Sequence, residues 1–274
     1  MKTNLLFLTV IILTLLFSSC DNPQSSIVTN YDSTPPLPPV GIYSIALDNA
    51  VDLSWIPNQE TDLNGYKIYV SSSYNGRYDL IGVSTRASFT DRGVRNGNKY
   101  YYAVTAYDFS GNESELSKDV VYSTPRPEGY NVLLQDRFLN PNNAGYDFSA
   151  YQILYYDTDL TDIYVEYTQN GVPYFVVWND TEIQDMGYTN DLDEISASPT
   201  QGWSPTRDAH IIIGHTYVVR TWDNHYAKVR VTDIQKSSVK FDWAYQLVQG
   251  DTHLIAPRKT IGRIRGTEHI VKSN

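Results

Sequence analysis

Residues 131 to 200 hold twelve Asp and Glu against one cation, Arg137, and all five histidines, His210, His215, His225, His253 and His269, come after them. Four of the five tryptophans, Trp178, Trp203, Trp222 and Trp243, fall in the same part of the chain. Closely spaced carboxylates suit a hard cation such as calcium, which takes several oxygen ligands. Asp157, Asp159 and Asp162 form one such set and Asp191, Asp193 and Glu194 another, although neither completes an Asp-x-Asp-x-Asp-Gly loop with its distal Glu, so a solvated acidic face competes with the metal reading. Indole faces stack on pyranose rings. Trp203, in Gln201-Gly-Trp-Ser-Pro205, belongs to a loop pattern and is the candidate sugar platform, whereas Trp178, Trp222 and Trp243 lie in strand patterns and read as core. Imidazoles ligate metal or haem iron, and His210, His215 and His225 are the candidates, each with a turn or surface role as the simpler reading.

Catalytic patterns are absent from the sequence. It has no Gly-x-Ser-x-Gly elbow, no His-Glu-x-x-His helix, no phosphate-binding glycine loop and no second cysteine. Carboxylate pairs of the kind glycosidases use are so abundant that no pair stands out. The expectation is therefore a non-enzyme, with a glycan-degrading enzyme as an alternative.

The elements that must position these groups are strands. The 274 residues include 23 Tyr, 5 Trp and 13 Pro, and long Ala/Leu/Glu/Lys helical stretches are missing. An all-β chain with two domains follows. A net charge of -10 argues against nucleic acid as a partner, because neutralising phosphates takes clustered Lys and Arg. A single cysteine excludes an intramolecular disulfide.

From Val40 to about Pro127 short alternating runs recur at regular spacing: 42–46, 50–56, 65–71, 78–83, 87–90, 100–107 and 120–123. Alternation places Val51, Leu53 and Trp55 on one face, as it does Tyr66, Ile68 and Val70, and also Tyr100, Tyr102, Val104 and Ala106. PPLPPVGI, VDLSW, GYKIYVS and NGNKYYYAVTAYDFSGNES together resemble a fibronectin type III domain, with Tyr100 in the place of the family's tyrosine corner and Val94 where a leucine is usual. The resemblance implies a β-sandwich that serves as spacer or binding module, and it makes Trp55 a core residue.

The N-terminus carries targeting chemistry. Lys2 precedes an apolar run, Leu5 to Phe17, which is too short for a comfortable bilayer span and has the make-up of an export signal over residues 1–19. Leu16-Phe-Ser-Ser-Cys20 is similar to the lipobox of bacterial lipoproteins, with Phe17 where leucine is preferred. The resemblance implies a lipidated Cys20, and two or more acyl chains make a durable anchor at about 0.8 kcal/mol per buried methylene. Residues 20–39 then form a proline-rich tether, and the partner implied is a membrane at the bacterial cell envelope, at the outer membrane or cell surface.

Ser123-Thr-Pro-Arg-Pro-Glu-Gly129 reads as a hinge. Beyond it, residues 128–256 form a second β-rich domain with strands at 151–155, 163–167, 174–178, 216–222, 225–231 and 239–248, and a turn at Asn170-Gly171. A two-residue turn at Asp223-Asn224 sets Trp222 opposite His225 and Val218 opposite Val229. YVVRTWDNHYAKVRVTDI, VKFDWAYQ and DLDEISASPTQGWSP are similar to the C-terminal part of HmuY-like haem-binding lipoproteins, which implies haem held by two histidines. Residues 257–274 are a basic tail with five Lys or Arg. The expected function is a non-catalytic binding or assembly lipoprotein whose first module is a spacer, with a protein or glycan partner and no resident cofactor. A carbohydrate-binding accessory protein and a haem carrier stand as further alternatives.

Overall fold

The computed structural model describes residues 31–119 and 121–254; Cys20, the first part of the tether, the basic tail and His269 lie outside the described residues. The first seven strands are β1 (Val40–Leu47), β2 (Ala50–Ile56), β3 (Leu63–Ser71), β4 (Asp79–Ser84), β5 (Ser88–Asp91), β6 (Tyr100–Asp108) and β7 (Val121–Ser123). They form two antiparallel sheets, β1-β2-β5 and β4-β3-β6-β7. The inward faces are those the alternation assigns: Val51, Leu53 and Trp55 from one sheet meet Tyr66, Ile68, Tyr102 and Val104 from the other. The Trp55 and Tyr66 rings meet edge to face with centroids 5.1 Å apart. Tyr100 Oη accepts the Arg95 N–H at 3.1 Å, beside the buried Val94, so the corner tyrosine ties back to upstream backbone. This is the fibronectin type III sandwich that the motifs imply.

The second group comprises β8 (Glu128–Gln135), β9 (Gly145–Asp147), β10 (Gln152–Leu154), β11 (Ile163–Tyr167), β12 (Pro173–Val176), β13 (Glu182–Tyr188), β14 (Asp208–His210), β15 (His215–Arg220), β16 (Tyr226–Ile234) and β17 (Ser238–Gln246). Its sheets run β10-β9-β11-β12-β14 and β13-β15-β16-β17-β8. An aromatic core fills the space between them: Tyr146 and Phe175 from the first sheet contact Phe241 from the second, each with centroids 5.8 Å apart. The chain is all-β, and among the described residues no helix is long and apolar enough to cross a membrane.

Two expectations need correction. The β15–β16 connection is a three-residue loop, not a two-residue one: Thr221 N–H donates to His225 O at 3.0 Å, and Asn224 takes the left-handed φ of 63° that such loops require. Val218 therefore faces Lys228, and Tyr217 faces Val229. A shift of one residue exchanges inside for outside, and Trp222 moves from a strand to the hairpin tip. The β11–β12 loop is built the same way, with Gly171 at φ 76°.

The proline-rich segment at 123–129 is no free hinge either. Pro125, Arg126 and Pro127 are buried. Arg126 N–H donates to Leu47 O at 3.2 Å, Gly97 N–H to Pro125 O at 2.9 Å and Tyr245 N–H to Pro127 O at 3.0 Å. The Arg126 guanidinium, 1% exposed, donates to Ala46 O in the first sandwich at 3.2 Å and reaches Asp193 in the second at 3.1 Å and Glu128 at 3.2 Å. Both sandwiches belong to one compact unit beginning at Ser33.

Candidate functional site

One end of the second sandwich carries a cleft of about 750 Å³, lined by Asp157, Asp159, Leu160, Trp178, Asp180 and Trp222 together with Thr158, Thr161 and Asn179. Three connections build it. The β10–β11 connection turns at Thr158–Thr161, where Thr161 N–H donates to Thr158 O at 3.1 Å and Thr161 Oγ1 to Tyr155 O at 2.9 Å, which leaves Asp157, Asp159 and Leu160 exposed. The connection after β12 is pinned by Arg207, whose Nη1 donates to Trp178 O at 3.3 Å and Thr181 O at 2.7 Å. Trp178 is half-buried against Tyr164, ring to ring at 5.3 Å, and its buried indole N–H has no acceptor among the described residues.

The third connection is the hairpin tip. Trp222 is 58% exposed, yet the backbone beneath it is held from both sides. Asn224 N–H donates to Thr221 O and Gly250 N–H to Asn224 O, while Gln249 Nε2 donates to Asp223 O. A backbone held beneath an exposed ring spares the entropy loss of ordering a mobile loop on binding. Behind the cleft Asp162 is buried, accepting the Phe148 N–H at 2.8 Å. Burial, with Asp147, Asp223 and Asp180 nearby, pushes its pKa up to about 7.

The expected sites fare differently. Asp157 and Asp159 line the cleft and Asp162 lies behind it. Among the described residues neither acidic set places three ligand atoms within 4.8 Å of one another. Asp191 caps a short 3-10 turn over Leu192–Glu194, accepting from Asp193 N and Glu194 N; Glu194 accepts from Asn190; and Asp193 pairs with Arg126. These carboxylates are engaged in structure. Lys228 completes their surroundings: fully buried, its ammonium donates to Leu192 O and Ile195 O, and burial, reinforced by Arg126, holds its pKa well below the ordinary lysine value.

Trp203 is half-buried against Val218, Tyr226 and Leu254, so the expected sugar platform is a packing residue. His215 and His225 do not converge. His210 ends β14 against Tyr174, His215 opens β15 with Nδ1 3.0 Å from Asp185, and His225 sits in the β15–β16 loop with Nδ1 2.9 Å from Gln246 O. The six residues of β15, at about 3.3 Å each, separate His215 from His225 by about 17 Å or more. That spacing keeps this pair from serving as the two axial ligands of one iron. The group missed from sequence is Trp222, and the signal was Asn224, whose tolerance of positive φ favours the three-residue loop.

No family model matches the chain. It is 41% identical over 100 residues, 36% of its length, to an amylopullulanase of Thermoanaerobacterium saccharolyticum, and 31% identical over 118 residues, 40% of its length, to exoglucanase B of Cellulomonas fimi. The chain covers 8% and 10% of those proteins. Among solved structures it is similar to an Fn3-like protein from Clostridium thermocellum, with 32% identity over 32% of this chain and 92% of that one, at a TM-score of 0.29.

Proposed function

We propose that this chain is a non-catalytic, carbohydrate-associated accessory protein of the bacterial cell envelope. In this reading a lipid on Cys20 anchors it, residues up to Pro39 tether it, the first sandwich is a spacer and the second sandwich presents the glycan site. The observation that carries the reading is the exposed, backbone-fixed Trp222 over a cleft whose other walls are Trp178, Leu160, carboxylates, threonines and an amide, the polar ones able to accept and donate hydrogen bonds to sugar hydroxyls. The relatives named for glycan cleavage support it, since each shares with this chain a stretch that is a small part of its own length.

A glycan array probed with the full chain tests it. Saturable binding to at least one oligosaccharide, weakened at least about tenfold by Trp222→Ala and little changed by Trp203→Ala, is the expected result. Binding that ignores Trp222, or no binding, overturns it. For the anchor, Cys20→Ser should release the protein from membranes, as read by fractionation; unchanged membrane association would point to the uncleaved apolar run instead.

A further inference from the structure

We propose that the Trp178–Trp222 cleft selects glycans bearing protonated amino groups over neutral ones and rejects anionic ones. This rests on the cleft being a glycan site and adds its charge selectivity.

The lining supplies the argument. Three carboxylates, Asp157, Asp159 and Asp180, share the cleft with the two indoles, and among the described residues no Lys, Arg or His lines it. Of the guanidiniums on the neighbouring elements, Arg137 pairs with Glu166 at 2.6 Å, and Arg207 donates to the Trp178 and Thr181 carbonyls, one positive charge against the three carboxylates of the cleft. Asp223, next to Trp222, receives the Thr221 hydroxyl at 2.6 Å and lies 3.8 Å from His225 Nε2, and Asp147 lies behind the cleft; Asp162, protonated below about pH 7, adds no charge at mildly acidic pH.

An ammonium held over the face of an indole is attracted by the ring quadrupole, and best by Trp. The same ammonium can donate to carboxylates, forming charge-assisted hydrogen bonds stronger than those of a neutral hydroxyl. A uronate or sulfate in that place would meet three like charges well inside the Debye length of about 8 Å at physiological salt. A neutral pyranose would keep the stacking and the hydroxyl hydrogen bonds but gain nothing from the field. The cleft is partly open to solvent.

Calorimetry on the full chain decides this, at a mildly acidic pH where sugar amines are protonated and ordinary carboxylates are ionised. The probes are a fully deacetylated chitosan oligomer, its N-acetylated counterpart of equal length and an oligogalacturonate. The deacetylated oligomer should bind roughly tenfold tighter than the acetylated one, and the oligogalacturonate should not bind. Replacing Asp157, Asp159 and Asp180 together by Asn should level that preference while the acetylated oligomer still binds. Asp79→Asn, which removes an exposed charge from the first sandwich, should leave the preference intact.

Equal affinities for the two chitosan forms would overturn the charge selectivity while leaving the glycan reading in place, provided binding depends on Trp222. A preference that survives the triple substitution would assign the attraction to net charge and overturn the proposal. Failure of every probe to bind, with the glycan array also silent, would remove both.

Discussion

The two sandwiches differ in what they leave open to solvent. In the first, the one indole is Trp55, 6% exposed inside the core, and the surface carboxylate of Glu113 takes Lys67, Tyr69 Oη at 2.6 Å and Thr105 Oγ1 at 2.6 Å together. In the second, Trp222 stands 58% exposed at a fixed hairpin tip, above carboxylates with no lysine or arginine among the described lining residues. Both halves use strand alternation to bury apolar faces. The first module keeps its indole in the core, whereas the second holds one in the open above carboxylates, and the proposed glycan site rests on that difference.

The sharpest test of that contrast is to damage each core separately. Phe241→Ala removes the ring that joins Tyr146 and Phe175 and should cost the second sandwich about 3–5 kcal/mol; Leu53→Ala should cost the first about 2–5 kcal/mol. Tryptophan fluorescence in a urea melt reports mainly on the second sandwich, with four of the five indoles, and Trp55 reports on the first. Each substitution should bring forward the transition of its own half. If either one melts both halves at a single midpoint, the two cores are one cooperative unit and the comparison breaks.

Next in size is a pH effect confined to the second sandwich. Asp162 titrates near 7 in the folded protein, above the ordinary carboxylate value of about 3.9. The folded state thus holds a proton that the unfolded state has released between about pH 4 and pH 7, and stability falls as pH rises through that window. The full span is at most about 4 kcal/mol. Asp162→Asn, which keeps an oxygen for the Phe148 N–H, should flatten the profile and raise the thermal midpoint of the second sandwich at pH 8. A variant that unfolds with the same pH slope as the parent would show that another group carries the titration.

The junction comes third. Arg126→Ala leaves Glu128 buried and Asp193 half-buried without their guanidinium partner, a loss of about 3 kcal/mol. Because the same side chain also binds Ala46 O, its loss should let the sandwiches reorient, visible as a larger radius of gyration by solution scattering. An unchanged profile would mean that the backbone bonds of Pro125 and Pro127 suffice.

The strand pattern of the first sandwich was legible because its longer strands carry a two-residue repeat between turn residues; Ala50–Ile56 agrees residue for residue. In the second, Ile163–Tyr167 was equally plain, but β8, β9, β13 and β14 were missed. Glu128–Gln135 opens with Glu and Gly and follows two prolines, so its signal is hidden in what resembles a linker. Gly145–Asp147 and Asp208–His210 are three residues each, too short to show a period, and Glu182–Tyr188 is interrupted by a bulge at Gly187. The site was half legible. Asp157 and Asp159 stood out as acids, but the cleft exists only because three distant connections meet, and sequence spacing carries no record of that meeting. Arg126 escaped for the same reason, since a cation between two prolines has the composition of an exposed linker and its partners lie at Ala46 and Asp193.

The smallest effect separates a packing indole from a presented one. Trp203 touches Val218, Tyr226 and Leu254, so Trp203→Ala opens a void in a satellite cluster and should cost about 2 kcal/mol, below the 3–5 kcal/mol of a fully buried aromatic. Trp222→Ala removes a ring from solvent while the hairpin tip keeps its backbone bonds, and the change in stability should stay within about 0.5 kcal/mol. An exposed indole whose removal costs nothing in folding has no structural reason to be there. If Trp222→Ala instead destabilises the second sandwich as much as Trp203→Ala does, the tip tryptophan is a packing residue and the contrast between the two sandwiches loses its main support.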